Sequence, residues 1–387
     1  MTVGNFDVIF HRALTALPGS GEELARAWLR RAYWNRGAVC RPHYVLESAR
    51  HVVAALDDAD LEDATIRAKA LAMWAWAEAI AGDPDTADRL LEELQRIVGR
   101  SGPGPELAQD IGHARALALV RRGRFRESYS AQTAAGEAAE RIGRPDLACG
   151  CWLNAACVAA CAGEFDRALQ FVERGSRSLR GQRLIWFEVQ ILAARAYILA
   201  RLGRLAGARE AVHSESAAAE RADNPELRAT AEHDQGMIAL ALEDYGQAAH
   251  LLGAALMHGA PVSRPLARLA RAEALARLGR CDEAEQEIEA TALEPVRPGD
   301  FPDTLVPRMS RVQGLIAAAR GETAPAARLL AESAAGWRRV REGSRDGERY
   351  TSSFADLARP PVLGLVEPER ELERVLSELA GFEKAPA

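Results

Sequence analysis

Polar and aromatic residues recur at fixed distances before a repeated turn, and their types suit the binding of a partner. Eight residues before the turn, five of seven repeats carry Arg or Gln, and aromatic residues or histidines occur six and ten residues before it. Guanidinium groups form charge-assisted bonds with carboxylates, and aromatic side chains act as anchors. The candidate partner-binding residues are Trp76, His113, Arg115, Arg195, Tyr197, His233, Gln235, Arg271 and Gln313. The set predicts recognition of an acidic peptide, although the polar groups could instead simply face water.

The sequence gives little reason to expect catalysis or metal binding. No G-x-S-x-G, H-E-x-x-H or G-x-G-x-x-G motif occurs. Glu232, His233 and Asp234 form the densest titratable run, but three repeats separate His233 from His113. Four cysteines share the segment 148–161 with no histidine nearby, so we interpret them as small packing residues. We expect no catalytic residue, metal or cofactor, and hence not an enzyme.

The turn itself is a six-residue pattern, Gly-x-apolar-x-x-small. It begins at residues 82, 123, 163, 203, 243, 279 and 321, with Glu at 243. Glycine there can end a helix in the left-handed conformation. Seven residues before each start, every repeat has Ala or Gly, at positions 75, 116, 156, 196, 236, 272 and 314. Small residues on both sides of the turn predict two antiparallel helices that cross closely.

This pattern resembles that of tetratricopeptide-type repeats, lengthened from about 34 residues to between 36 and 42. It is similar to the sensor solenoid of large ATP-dependent bacterial regulators of the MalT type. The resemblance implies an all-α, right-handed superhelical solenoid of about eight helical hairpins, whose first helices line a concave groove. The sequence lacks the phosphate-binding loop of those regulators and shows no C-terminal helix-turn-helix.

We expect four segments along the chain. Residues 1–21 form an N-terminal cap, 22–341 the repeat array, 342–366 a loop segment and 367–382 a C-terminal capping helix. The capping helix is predicted because Pro368 and acidic residues suit a helix start. An apolar stripe that includes Leu372 and Val375 gives it one side to bury.

These features together favour a non-catalytic scaffold or regulatory sensor that binds a protein or peptide in the concave groove. The alternatives are a small-molecule-sensing regulator that acts through a partner, and an enzyme with a concave-face pocket. No apolar run approaches the roughly 18 residues of a membrane span, and the N-terminus lacks a signal peptide, so we expect a cytoplasmic protein. Nucleic acid is disfavoured, since arginines near the turns suit helix C-termini and the net charge is −6.

Overall fold

The protein is described here by a computed structural model that covers residues 21–37, 42–58, 63–99, 103–122, 124–222, 224–258, 264–294, 302–344 and 368–383, together with Leu14. These residues form α-helices joined by short connections, and no strand occurs among them. The chain divides into two compact units, Met1–Ala162 and Gly163–Ala387. Most of the predicted N-terminal cap and of the predicted loop at 342–366 lies outside the described residues.

Helices α1 to α16 alternate along the chain as the first and second helices of eight repeats. The first unit contains α1 (Gly21–Gly37), α2 (Pro42–Asp58), α3 (Ala64–Ala81), α4 (Pro84–Val98), α5 (Pro105–Arg121), α6 (Phe125–Arg141) and α7 (Pro145–Cys161). The second contains α8 (Phe165–Ser178), α9 (Ile185–Arg201), α10 (Leu205–Ala222), α11 (Pro225–Ala241), α12 (Tyr245–His258), α13 (Arg264–Arg277), α14 (Cys281–Leu293), α15 (Pro302–Ala319), α16 (Thr323–Ser344) and α17 (Pro368–Glu383).

The predicted crossing of small residues is confirmed. All seven Ala or Gly residues before the turns are buried, as are the seven small residues after them. Within one hairpin, the Ser128 hydroxyl donates to the carbonyl oxygen of Ala116 at 2.6 Å. In another, a Cβ added to Gly236 would lie 2.7 Å from Cγ of Leu252. The two helices of a hairpin therefore approach so closely that little more than a methyl group fits between them.

The turn residues adopt the predicted left-handed conformation in most repeats. Gly203, with φ of 72°, is typical, and Glu243 is the one non-glycine residue with positive φ among the described residues. Gly82 is an exception, with φ of −115°. There the Glu78 carboxylate accepts a hydrogen bond from the backbone N–H of Asp83, and Asp83 caps α4. Side-chain capping thus replaces the left-handed glycine at this turn.

Three of the four cysteines of α7 are packing residues, as predicted, and the side chain of the fourth, Cys161, lies outside the described part of the chain. Cys149, Cys151 and Cys157 are buried and free of disulfides. Burial raises the pKa of the Cys149 and Cys157 thiols above the usual thiol range. A buried neutral thiol is a poor nucleophile and a poor metal ligand.

The close crossing makes a stability prediction at Ala196, which is fully buried. Ala196→Leu should lower the free energy of unfolding by about 1–3 kcal/mol, because the larger side chain overpacks the contact between α9 and α10. Urea denaturation followed by circular dichroism measures it. Arg195→Leu adds the same side chain at the exposed neighbouring position and should change stability by no more than about 0.5 kcal/mol. Equal effects of the two substitutions would contradict the assigned crossing.

Candidate partner-binding site

The candidate residues eight positions before the turn lie on the accessible side of their first helices. Arg115 in the first unit is exposed, as are Arg195 and Gln313 in the second, whereas Gln235 and Arg271 are partly buried. On α9 the accessible side continues through Glu188 and Leu192. Residues spaced by three and four share one helix face, so this position marks a polar stripe on the five first helices that carry Arg or Gln there.

The two partly buried members of the set contact second helices. The Gln235 amide donates to the carbonyl oxygen of Val212 in α10 at 3.4 Å. The Arg271 guanidinium forms an ion pair with Glu287 of α14. In α11 and α13 the stripe therefore faces the space beside the second helices.

A cleft of about 530 Å³ lies between α12 and α13, and Arg271 is one of the residues that line it. Arg264, Arg268 and Arg271 of α13 line the cleft. They share two carboxylates, those of Glu287 in α14 and Glu294 at the C-terminal end of α14. Glu294 accepts from Arg264 at 3.2 Å and from Arg268 at 2.9 Å, and Glu287 accepts from Arg268 at 2.8 Å and from Arg271. Burial alone would raise the pKa of Glu294, but the hydrogen bonds from Arg268 and Arg264 outweigh it and lower the pKa.

The candidates six and ten positions before the turn are more enclosed. Trp76 and Tyr197 are buried, and the Arg201 guanidinium lies 6.0 Å from the centre of the Tyr197 ring. His113 is partly buried, with its Nε2 3.3 Å from the Asn154 amide nitrogen. His233 is buried beside Asp234. These four side chains therefore present little surface to a partner in this conformation.

Sequence reasoning missed a buried ion network that joins α13, α15 and α17. Arg311 donates to both carboxylate oxygens of Glu273, at 2.7 and 3.0 Å, and to those of Glu378, at 2.6 and 2.9 Å. Arg277 also donates to Glu378, and Arg374 to Glu273. Burial would raise the pKa of Glu273, but Arg311 and Arg374 lower it to about 2. The signal in the sequence is that Glu273 and Arg311, which carry opposite charges, occupy repeat positions that other repeats fill mostly with apolar residues.

A second buried cluster lies between α10 and α11. Glu215 is completely buried, and among the described residues neither of its carboxyl oxygens has a hydrogen-bond partner. Asp234 is also buried, with Oδ1 2.9 Å from Nδ1 of His233. Burial and the neighbouring charge of Asp234 raise the pKa of Glu215 well above its usual range. Among the described residues, no group of three His, Cys, Asp or Glu is placed to hold a metal ion.

The network predicts a large effect of Arg311→Met. The change leaves the buried carboxylate of Glu273 and the partly buried one of Glu378 short of their main partner, so the free energy of unfolding should fall by about 3–5 kcal/mol, as measured by urea denaturation. Arg221→Met, which breaks an exposed pair with Glu188, should have little effect. A fall of less than about 1 kcal/mol for Arg311→Met would show that the network contributes little to stability.

Glu215 predicts a specific dependence of stability on pH. The pKa of Glu215 is higher in the folded state than in the unfolded state, so folding favours the protonated carboxyl group. Its contribution to the free energy of unfolding is therefore greatest below about pH 4.5 and is lost as the pH rises towards the folded-state pKa. Glu215→Gln should therefore become more stable relative to the natural protein as pH increases from 4.5 to 8. Melting temperatures across this range measure the difference. The control, Glu220→Gln, changes an exposed residue on the same helix, and its melting temperature should follow that of the natural protein at every pH. A difference in melting temperature between Glu215→Gln and the natural protein that stays constant with pH would contradict the expectation.

No protein-family model matches the chain, and no curated protein matches it significantly. Among solved structures, a Rap protein complexed with Competence and Sporulation Factor is similar, with TM-score 0.56 and 15% identity over 94% of this chain and 99% of that one. NprR in complex with its cognate peptide NprX has TM-score 0.51 and 13% identity, over 92% of this chain and 99% of that one. A STAND protein with a tetratricopeptide repeat sensor, from Pyrococcus horikoshii, has TM-score 0.51 and 11% identity, over 94% of this chain and 53% of that one.

None of the described helices is long and apolar enough to cross a bilayer. At such low identities the likeness to the solved structures concerns the fold alone. It agrees with the repeat pattern and with the crossings of small residues described above. The chain has a tetratricopeptide-type helical-repeat fold.

Proposed function

We propose that this protein is a non-catalytic regulatory module that binds a peptide or protein through the polar stripes of its first helices. The observation that carries the proposal is the state of Arg115, Arg195 and Gln313. All three side chains are exposed on helices, and none of these side chains forms a hydrogen bond or ion pair with another described residue. Their donors are therefore free to meet acceptors on a partner, and charge-assisted bonds favour carboxylates.

In this proposal, Arg195, Gln235, Arg271 and Gln313 of the second unit contact the partner directly, and Arg115 offers the same type of contact on the first unit. Trp76, His113, Tyr197 and His233 contribute from within the packing, where they fix the orientation of the first helices. The similar Rap and NprR structures are complexes with a Competence and Sporulation Factor and with a cognate peptide. These complexes support peptide binding as a use of the fold. The proposal keeps the cytoplasmic location predicted from the sequence.

A small-molecule effector is the second candidate, and the cleft between α12 and α13 favours it. Its volume of about 530 Å³ falls within the range of roughly 300–1,000 Å³ that small-molecule sites occupy. A small anionic compound that raises the melting temperature, in a protein that selects no peptide, would support this candidate over the first.

Arg195→Ala tests the peptide-binding proposal. Random dodecapeptides displayed on phage are selected on the full chain, and fluorescein-labelled copies of the recovered peptides are titrated by fluorescence anisotropy. The substitution should weaken binding about tenfold, because an ionic hydrogen bond is lost, and leave the melting temperature unchanged.

The matched control is Arg209→Ala, which removes an exposed arginine from the second helix α10 and should bind normally. Equal affinity for the natural protein, Arg195→Ala and Gln313→Ala would contradict the proposed stripe. Recovery of no peptide at all would contradict peptide binding.

A further inference from the structure

We infer that the cleft between α12 and α13 is a carboxylate-binding subsite, which takes an acidic side chain of a partner peptide next to an apolar one. The inference rests on the proposed function and adds the chemical class of the ligand. We call the site the arginine cleft and define it by four lining residues: Arg264, Arg268, Arg271 and Arg280.

The part of α12 that faces Arg271 across the arginine cleft carries small residues. Gly246, Ala249 and Gly253 of α12 line it. A Cβ added to Gly253 would lie 3.2 Å from Nε of Arg271, so a larger residue there would press on the guanidinium. His250 also lines the cleft from α12, and the small residues beside it leave the Arg264 and Arg271 side chains 34% and 28% exposed.

The charges within the arginine cleft do not balance. Among the described residues, Arg264, Arg268 and Arg271 form ion pairs only with Glu287 and Glu294, which leaves one positive charge in excess. The fourth arginine, Arg280, pairs at the rim with Glu283, its neighbour three residues along the chain. A partly enclosed site with excess positive charge attracts an anion, because solvent screens the interaction less than at an open surface.

Hydrogen-bond donors also remain in the arginine cleft. A guanidinium group has five N–H donors, and the two carboxylates engage only some of those on the three arginines. The Nε atom of Arg271 is buried and has no partner among the described residues. Other parts of the Arg264 and Arg271 side chains remain accessible, with 34% and 28% of their surface exposed, so an added acceptor would find donors already oriented by the existing ion pairs.

The resident groups favour a carboxylate over a phosphate. Arg264 and Arg268 already donate to the carboxylates of Glu287 and Glu294, so their donors are placed to bind carboxylate groups. A phosphate group carries a charge of about −1.5 to −2 at neutral pH, more than the single excess positive charge can neutralise, and it would lie close to both glutamates. A monoanionic acidic side chain matches the excess without this repulsion.

The rim supplies an apolar surface for the residue next to the acidic one. Met257 lines the cleft and is 86% exposed, and Leu256 lies beside it. Methionine adapts its shape to varied apolar side chains. An Asp or Glu next to a Leu, Ile or Phe would therefore fill both parts of the site.

Two variants test the arginine cleft in opposite directions, with a peptide selected on the full chain as probe. Glu294→Gln removes the carboxylate that competes for Arg264 and Arg268, so binding should tighten about three- to tenfold. Arg264→Gln with Arg280→Gln removes two partly exposed arginines and should weaken binding about tenfold. A twin peptide with Gln or Asn for its acidic residues should bind weakly and respond to neither change.

The matched control is Arg124→Gln. Arg124 and Arg280 are each the second residue of the turn in their own hairpins. Like Arg280, Arg124 forms an ion pair with the glutamate three residues later, Glu127. This variant should bind normally. Melting temperatures establish that the Glu294→Gln variant is folded, and the double arginine variant provides an independent test.

The outcomes separate the two proposals. If a peptide binds and Arg195→Ala weakens it, but neither cleft variant changes its affinity, the carboxylate subsite is wrong and the proposed function stands. If no peptide binds to any variant, both proposals are wrong. If a phosphoserine twin binds more tightly than the acidic peptide and loses this advantage in the double arginine variant, the site is a phosphate site and the assignment to carboxylate is overturned.

Discussion

The close crossing of two helices at small residues is the constraint on which the rest of the structure depends. In the hairpin of α9 and α10, Ala196 and Ala208 are both fully buried. Each helical residue rotates the side chain by about 100°, so fixing Ala196 inward turns Arg195 and Tyr197 to opposite flanks. Arg195 is exposed and Tyr197 is buried. One packing contact thus decides which residues of a first helix can meet a partner.

Arginine serves two roles in the second unit, and burial separates them. Arg311 is almost completely enclosed and bridges two glutamates, where the loss of hydration is offset only by full pairing. Arg268 and Arg271 are only partly buried, and their ion pairs leave a positive charge unbalanced and some N–H donors without acceptors. The first arrangement holds three helices together. The second leaves an opening with the chemistry of a binding site.

Local features of the fold could be predicted from the sequence, and long-range pairings could not. The turn at Gly203 and the crossing at Ala196 depend on residues a few positions apart, so their spacing is informative. Gly82 departs from the pattern because the Asp83 side chain caps α4 and the Glu78 carboxylate accepts a hydrogen bond from the backbone N–H of Asp83. The partner of Arg311, Glu378, lies 67 residues further along the chain. No periodicity links Arg311 to Glu378. The charges of Glu273 and Arg311 at repeat positions were visible in the sequence, but their joint pairing with α17 and the pairing that forms the arginine cleft could not be foreseen.

Hydrogen–deuterium exchange of the full chain, with and without a saturating selected peptide, tests the central claim most directly. Binding to the stripes should slow exchange in the first helices α9, α11 and α13, because the peptide orders the side chains and backbone that it covers. Exchange in α8, which carries no part of the stripe, should be unchanged. Protection confined to the second helices α10 and α16, or no protection at saturation, would contradict the account.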